Sequence, residues 1–436
     1  MTFHPERGVS SWSRVGKREQ RVARPRFATE LTAWNRSSRD TRLAIGNGRS
    51  YSDVGLCDRG NLIAMGGLDR FRSFDPETGI LVAEAGVMLD AILETFVPRG
   101  FFLPVTPGTR FVTLGGAVAN DVHGKNHHRA GTFGRHVRSI VLERSDQGRV
   151  RVSPDENPQL FAATIGGLGL TGIIVEVEVQ LQRIASTQLD VETIACADLD
   201  ALCDTLEQSE AGFEHSVAWI DCTARDGRGI VSRANWAEAG PLAVHAPPGR
   251  SVPGIDLPTP LNPLTLKLFN TAYFAMGRMR AGRAQVHYAP FFYPLDAILN
   301  WNRLYGKQGF FQYQCVIPAA AGRAPLAALL AEIAASGEGS LLAVLKTFGD
   351  IPSPGMLSFP MKGLTLALDF RNRGAATQAL FDRLDRIVLD AGGRLYPAKD
   401  LRMPALLFRA GYPQSKQFEA MIDPCCRSDF WTRVAQ

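Results

Sequence analysis

Glycine placement constrains this chain more than any other feature. Twenty of its 42 glycines fall between residues 46 and 172, grouped in short strings. Glycine tolerates positive φ and lets a backbone approach a ligand with no Cβ in the way. A first half built like this must consist of short elements joined by tight loops, with the loops as its ligand-contacting surface. Gly46-Asn-Gly-Arg-Ser-Tyr-Ser-Asp53 follows a strand-like Thr41–Ile45 and offers successive backbone N–H groups as an anion nest, with Arg49 and Ser50 adding donors. Thr106-Pro-Gly-Thr109 leads to Thr113-Leu-Gly-Gly-Ala117, and residues 120–128 (NDVHGKNHH) concentrate polar and titratable groups. Singly, each string reads as a structural turn; their order and spacing together point to a ligand. Gly167-Leu-Gly-Leu-Thr-Gly172 matches the dinucleotide GxGxxG spacing, but Ile174–Leu181 after it alternates like a strand. The helix N-terminus that would hold a pyrophosphate is missing, so the Rossmann reading fails.

Length and composition remove other classes. At roughly 150 residues per domain, 436 residues suggest two or three domains. No apolar run reaches the ~18 residues of a membrane span, and the N-terminus lacks the apolar core of a secretory signal. Seven scattered cysteines without CxxC spacing argue against a disulfide framework and for a reducing, cytoplasmic compartment. Net charge is +5, and residues 1–26 hold seven Lys/Arg against two Glu, which read as a solvated basic arm. No nucleic-acid partner is expected. His123, His127, His128 and His136 are half of the eight histidines, but they lack HExxH-like helical spacing, and no metal is expected.

Along the chain the texture is α+β. Leu89, Ile92, Leu93, Phe96 and Val97 recur at helical spacing, with Gly100 where a C-cap belongs. Past residue 184 the texture changes. Pro247–Pro263 holds six prolines and reads as a loop or linker. Leu264–Arg283 carries four basic residues, no acidic ones and several large apolar ones. It suits an interfacial lid that touches membrane and, equally, a buried helix with a basic end. Strands are expected at Phe310–Ile317, Leu341–Phe348 and Leu364–Phe370. A helix through Leu380, Leu384, Ile387, Val388 and Ala391 should precede a Gly392-Gly393 turn. This divides the chain into a nucleotide-binding domain (1–183), a sheet-based substrate domain (184–391) and a segment (392–436) that returns to the first. On a strand, Gln312 and Gln314 share one face, suited to sugar hydroxyls, and Phe311, Tyr313, Cys315 and Ile317 take the other. Lys346 is the lone charge on its strand, an anion or sugar contact or else a snorkelling side chain.

The order GNGRSY, PGTR, TLGGAVANDVHGKNHH and GGLGLTGI resembles the PCMH-type FAD-binding domain of the vanillyl-alcohol oxidase superfamily. The string HGKNHHRAGTFGRHVRS, with FQYQCVIP and YPAKD downstream, is similar to the branch that oxidises decaprenylphosphoryl ribose. The resemblance runs from residue 40 to residue 412 and implies a two-domain FAD-binding fold with a substrate cap. It assigns FAD contacts to Ala44, Ile45, Gly46, Asn47, Gly48, Arg49, Ser50, Tyr51, Ser52, Asp53, Val54, Gly108, Thr113, Leu114, Gly115, Gly116, Asn120, Asp121, Val122, His123, Ile174 and Tyr396. Relatives that attach FAD covalently carry histidine where Arg49 stands, so non-covalent FAD is implied. Gln312, Gln314, Lys346 and Lys399 are implied to line the substrate pocket, and Trp219 is expected with them. Mycobacterial relatives have a cysteine at the position of Ala367, so insensitivity to inhibitors that need that thiol is expected.

Oxidising a secondary alcohol requires hydride departure to the flavin and loss of the hydroxyl proton. Lys399 is the first candidate for polarising or deprotonating the hydroxyl, because burial lowers a lysine pKa. Lys125 is the second, and His123 positions the flavin. The implied reaction oxidises the ribose C2 hydroxyl of a lipid-linked sugar phosphate, polyprenylphosphoryl-β-D-ribose. A separate NAD(P)H-dependent short-chain reductase would then give the arabinose donor for cell-envelope arabinan. A cytoplasmic location, peripheral at the inner membrane, follows from that substrate. Two other readings compete. One is an oxidase of free alditols or aldonolactones, a group with a terminal His-Trp-Gly-Lys-like motif where this chain has Tyr396-Pro-Ala-Lys399. The other is a flavin- or anion-binding scaffold without catalysis.

Overall fold

The computed structural model describes residues 1–224, 226–254 and 262–435; part of the proline-rich loop expected at 247–263 lies outside them. The first half holds two sheets. One has the order His4–Val9, Arg18–Ala23, Asn61–Ala64, Arg42–Ile45, with the last three strands parallel. The N-terminal arm is therefore a paired hairpin, a feature the sequence reading did not supply, and its charged side chains stay largely in water as expected. Residues 4–9 and 18–23 are strands, and alternation buries Gln20 and Val22 while Glu19 and Arg21 stay exposed. Their charges face water while their backbones pair, and composition registers only the charges.

The second sheet is antiparallel, in the order Phe71–Asp75, Ile80–Glu84, Ile173–Gln180, Val137–Arg144, Gly148–Val152. The helix Leu89–Phe96 packs its expected face, Leu89, Ile92, Leu93 and Phe96, into this core. One further turn, Val97–Arg99, ends at Gly100 with φ +80°, a left-handed cap that glycine adopts without strain. The Gly167–Gly172 string runs into the strand Ile173–Gln180, not into a helix.

The second half is built on an eight-stranded sheet ordered Gly282–His287, Gln188–Cys196, Gly229–Trp236, His215–Ile220, Val344–Phe348, Gly363–Arg371, Phe310–Pro318, Arg394–Leu395. Every neighbouring pair is antiparallel. Helices Leu199–Gly212, Ala324–Ser336 and Ala375–Asp390 share a core with Ala218, Ile220, Tyr313, Cys315, Leu345, Leu366 and Leu368. Strand alternation sends the intervening residues to the opposite face. The strand expected from Leu341 starts at Val344, because the Leu341 carbonyl accepts the Trp219 indole N–H (3.1 Å) and Leu342 N–H bonds Ser340 Oγ (3.1 Å).

Pro263–Met279 is a helix capped by Asn262, whose side chain accepts from Leu264 and Thr265 N–H. Only Leu266 and Asn270 on it are buried, so it is not the buried helix that its apolar residues allowed. At the C-terminus, Arg394–Leu395 closes the large sheet, and the chain then crosses back. Arg42 N–H bonds the Cys425 carbonyl (2.8 Å), Asp423 accepts from Ser145 N–H and Oγ (both 2.6 Å), and Arg433 pairs with Asp53 (2.7 Å).

Candidate active site

A cavity of about 550 Å³ lies between the glycine strings and the non-core face of the large sheet, within the roughly 300–1,000 Å³ of small-molecule sites. Residues 44–52 form one wall. Trp12 N–H bonds the Ser50 carbonyl and Tyr51 N–H bonds the Ala398 carbonyl (both 2.9 Å), so segments remote in sequence fix this loop. Gly48 sits at φ +61°, and a Cβ on Gly46 would overlap Thr113 Oγ1. Thr113 caps the helix Leu114–Ala119, accepting from Gly116 N–H at 3.2 Å. A Cβ on Gly115 would come within 2.8 Å of Ala85 Cβ. These glycines therefore do two jobs, turning the backbone and letting segments close on each other.

The opposite wall is the large sheet. Gln312 and Gln314, Val217 and Trp219, Val344 and Lys346, and Thr365, Ala367 and Asp369 line it at alternating positions. Asp369 Oδ1 accepts from Gln312 Nε2 (2.6 Å), and Gln314 Nε2 donates to His123 Nε2 (3.1 Å). Lys399 follows the last strand of the sheet, and its ammonium lies 3.8 Å from the centre of the Tyr51 ring. Lys125 Nζ donates to the Phe291 carbonyl and lies 4.4 Å from that ring's centre; Lys346 Nζ donates to the Gly124 carbonyl at 3.5 Å.

Three lysines in one enclosed space disfavour one another's charge. Burial, with Lys346 nearby, lowers Lys125 to about 7, and burial lowers Lys346 to about 8. Lys399 is also pushed down by burial, while the Asp369 carboxylate pulls it back up and Lys346 pushes it further down. Asp369 is pushed up by burial and held back by Gln312 and Lys399. Burial and then Lys346 hold His123 well below its usual range, so its ring is neutral at pH 7. With Nε2 accepting from Gln314, the proton sits on Nδ1.

The buried polar atoms test the fit to a flavin dinucleotide. Among the described residues, Arg49 Nε, Asn120 Oδ1 and His123 Nδ1 are buried without a partner, and all three residues line the cavity. Such orphans are costly unless a ligand or water satisfies them. They offer donors and an acceptor beside a glycine cradle, which matches the mixed demands of a flavin and its phosphates. The Arg49 guanidinium is stacked 3.9 Å from the Trp12 ring centre and 5.7 Å from that of Phe111. Arg49 is thus a cation held against two rings at the cavity wall.

Most residues anticipated from sequence meet here. Ala44–Ser52, Val54, Gly108, Thr113, Gly115, Gly116, Asn120, Val122, His123, Lys125, Ile174, Trp219, Gln312, Gln314, Lys346, Tyr396 and Lys399 all line the cavity. Three do not. Asp53 turns to Arg433, Leu114 is in the first core, and Asp121 is fully buried, accepting from Ser353, Ser358 and Gly134. Of the clustered histidines, His127 packs on Phe348 at 4.7 Å, while His128 and His136 bond the carbonyls of Phe213 and Ala130. The GxGxxG-like string is no Rossmann loop, yet Leu168, Gly169 and Gly172 line the cavity. Sequence reading also missed Ser11, Trp12, Phe111 and Asp296, whose approach depends on long-range packing. Asp369 had a visible signal, since it shares a strand face with Thr365 and Ala367.

Comparison with known proteins agrees with this geometry. Residues 20–153 match the FAD binding domain family. The chain is 36% identical over 402 residues to decaprenylphosphoryl-beta-D-ribose oxidase of Mycolicibacterium smegmatis, covering 88% of this chain and 86% of that protein. It is 34% identical over 362 residues to an uncharacterized protein of Streptomyces coelicolor, covering 78% of this chain and 96% of that one. L-gulonolactone oxidase of Mus musculus is 28% identical over 153 residues, covering 35% of this chain and 34% of that protein. The sugar-lactone oxidase likeness is thus confined to about a third of the chain, whereas the first likeness covers 88% of it. With its FAD-binding domain and a polar sheet face opposite, this chain is an FAD-dependent oxidoreductase and belongs to the decaprenylphosphoryl-beta-D-ribose oxidase family.

Proposed function

We propose that the chain oxidises the C2 hydroxyl of a polyprenylphosphoryl-β-D-ribose to the 2-keto sugar. The observation that carries this reading is the meeting of Lys399, Asp369, Gln312 and Gln314 on one polar wall, opposite a glycine cradle that suits a flavin. Bound FAD supplies the hydride acceptor. The protein orients the alcohol and manages its proton. Gln312 and Gln314 offer amides to sugar hydroxyls, and Trp219 gives a flat apolar surface on the same wall, with two strands between its own and theirs. Lys399, held near neutrality by burial, takes the hydroxyl proton, with Lys125 as the second candidate. Neutral His123, whose Nδ1–H has no protein partner, would hold the flavin by donating to it. Lys346 supplies positive charge for the sugar phosphate.

Around this reaction we place non-covalent FAD, since Arg49 replaces the histidine needed for attachment. Residues 1–183, completed by the returning C-terminal segment, act as the FAD domain, and 184–391 as the substrate domain. A separate NAD(P)H-dependent short-chain reductase would convert the ketone to the arabinose epimer, the donor for cell-envelope arabinan. The enzyme works on the cytoplasmic side, at the membrane that holds its substrate.

Anaerobic addition of farnesylphosphoryl ribose to the purified yellow protein should bleach the flavin band, and Lys399→Ala should slow bleaching by about a hundredfold or more. Wild-type bleaching rates in that variant would remove Lys399 from the reaction. Bleaching by free alditols or aldonolactones, with none by the lipid-linked sugar, would replace the substrate. Acid precipitation should leave flavin in the supernatant; a yellow pellet would overturn non-covalent binding.

A further inference from the structure

Among the described residues, 11 large hydrophobic side chains are exposed, and six of them lie on the helix Pro263–Met279: Leu264, Leu268, Phe269, Tyr273, Met276 and Met279. Leu264, Leu268 and Met279 are 67%, 62% and 84% exposed, far beyond the scattered surface leucine that needs no explanation. At 3.6 residues per turn, these six sweep roughly half of the helix circumference. The side that holds the helix to the protein is a narrow stripe. Leu266 and Asn270 are buried, Asn270 Nδ2 bonds Asp221 (3.1 Å), and Gly277 lies against Ile230. Residues 262–283 contain Lys267, Arg278, Arg280 and Arg283 and no acidic residue. An apolar arc with basic flanks is the pattern of a helix lying in a lipid headgroup layer.

Its position gives the pattern a purpose. Tyr273 and Ile298 both line the cavity and are both 40% exposed, so they stand at its mouth. Tyr273 packs on Trp219 inside the cavity (ring centroids 4.7 Å) and is stacked with Phe269 on the outer surface (5.8 Å). One helix therefore reaches from the cavity wall to an exposed apolar face. No helix among the described residues is long and apolar enough to cross a membrane.

We propose that the exposed face of Pro263–Met279 docks on anionic phospholipid and sets the cavity mouth against the bilayer, so that a lipid-linked substrate reaches the site without leaving the membrane. The helix face and its charge stand by themselves; the delivery role rests on the substrate reading above. Lysine and arginine supply attraction to anionic headgroups, and the leucine and methionine side chains enter the acyl boundary.

The test uses the flavin-loaded full chain with phosphatidylcholine vesicles and with equal mixtures of phosphatidylcholine and phosphatidylglycerol. The protein should sediment with the mixture and far less with phosphatidylcholine alone. Leu268→Ser/Met279→Ser and Lys267→Glu/Arg278→Glu should each lower the partition by about tenfold, with unchanged flavin spectrum, melting temperature and turnover of a short-chain soluble substrate. The proposal is overturned if wild type stays in the supernatant with both vesicles, or if both variants sediment like wild type. It is also overturned if light scattering finds a dimer that Leu268→Ser/Met279→Ser dissociates, since a second copy would then cover the face. Flavin bleaching separates the two readings. Bleaching without vesicle binding removes only the docking face, and vesicle binding without bleaching removes only the substrate.

Discussion

Asp369 and Lys399 share a buried space where neither is comfortably charged alone. Burial drives the lysine down and the carboxyl up, while each draws the other towards its ionised form. Asp369→Asn removes the pull that favours the ammonium, so the Lys399 pKa falls further. If neutral Lys399 takes the substrate proton, anaerobic flavin reduction rises with pH through the Lys399 pKa. The rise should then occur about one unit or more lower in the variant. A superimposable pH profile would separate the pair from proton transfer. Ala367, between Thr365 and Asp369 on the same wall, supplies no thiol, and all seven cysteines are free and buried. Cys315, on the adjacent strand, faces the core, and burial pushes its thiol up to about 12. Thiol-directed covalent inhibitors should therefore leave the native enzyme unlabelled by mass spectrometry, and Ala367→Cys should gain one adduct.

Within an element, the parity of a residue decides what its substitution changes. Along Phe310–Pro318, odd positions pack on helix Ala375–Asp390 and even positions 312 and 314 line the cavity. Tyr313→Phe removes a 3.1 Å hydrogen bond to Asp385 and should lower stability by about 1 kcal/mol while flavin reduction stays at the wild-type rate. Gln314→Leu takes the partner from His123 Nε2 and should slow flavin reduction, which Tyr313→Phe leaves unchanged. A stability loss without a rate loss in Gln314→Leu would contradict this division. The same parity explains what sequence made legible. Period-two alternation located the glutamines and the Thr365–Asp369 face, because it is a local property of the strand. The pairing of the basic arm was not legible, because it is set by residues 61–64, far along the chain. Trp12 reaches the cavity for the same reason, through a bond to Ser50. The helix Pro263–Met279 was ambiguous because an apolar, basic segment reads alike whether protein or lipid receives its apolar side.

At the scale of the whole molecule, the chain's end holds its beginning. Arg433 pairs with the nearly buried Asp53, and Arg18 pairs with Asp429 at 2.6 Å. Arg433→Ala leaves Asp53 buried without its cation and should cost roughly 2–3 kcal/mol, read as a lower melting temperature. Melting unchanged within a degree would show that the returning segment is held by its apolar contacts alone. The cavity has walls from both halves of the sequence, joined at the protein level by short contacts such as Tyr51 N–H to the Ala398 carbonyl. A cofactor seated between them is consequently a third piece of the fold. Free flavin at a hundredfold excess over its Kd adds roughly 3 kcal/mol to the folded state. Cells short of flavin would then carry this enzyme as a looser, more readily degraded chain, and its abundance would follow the flavin supply.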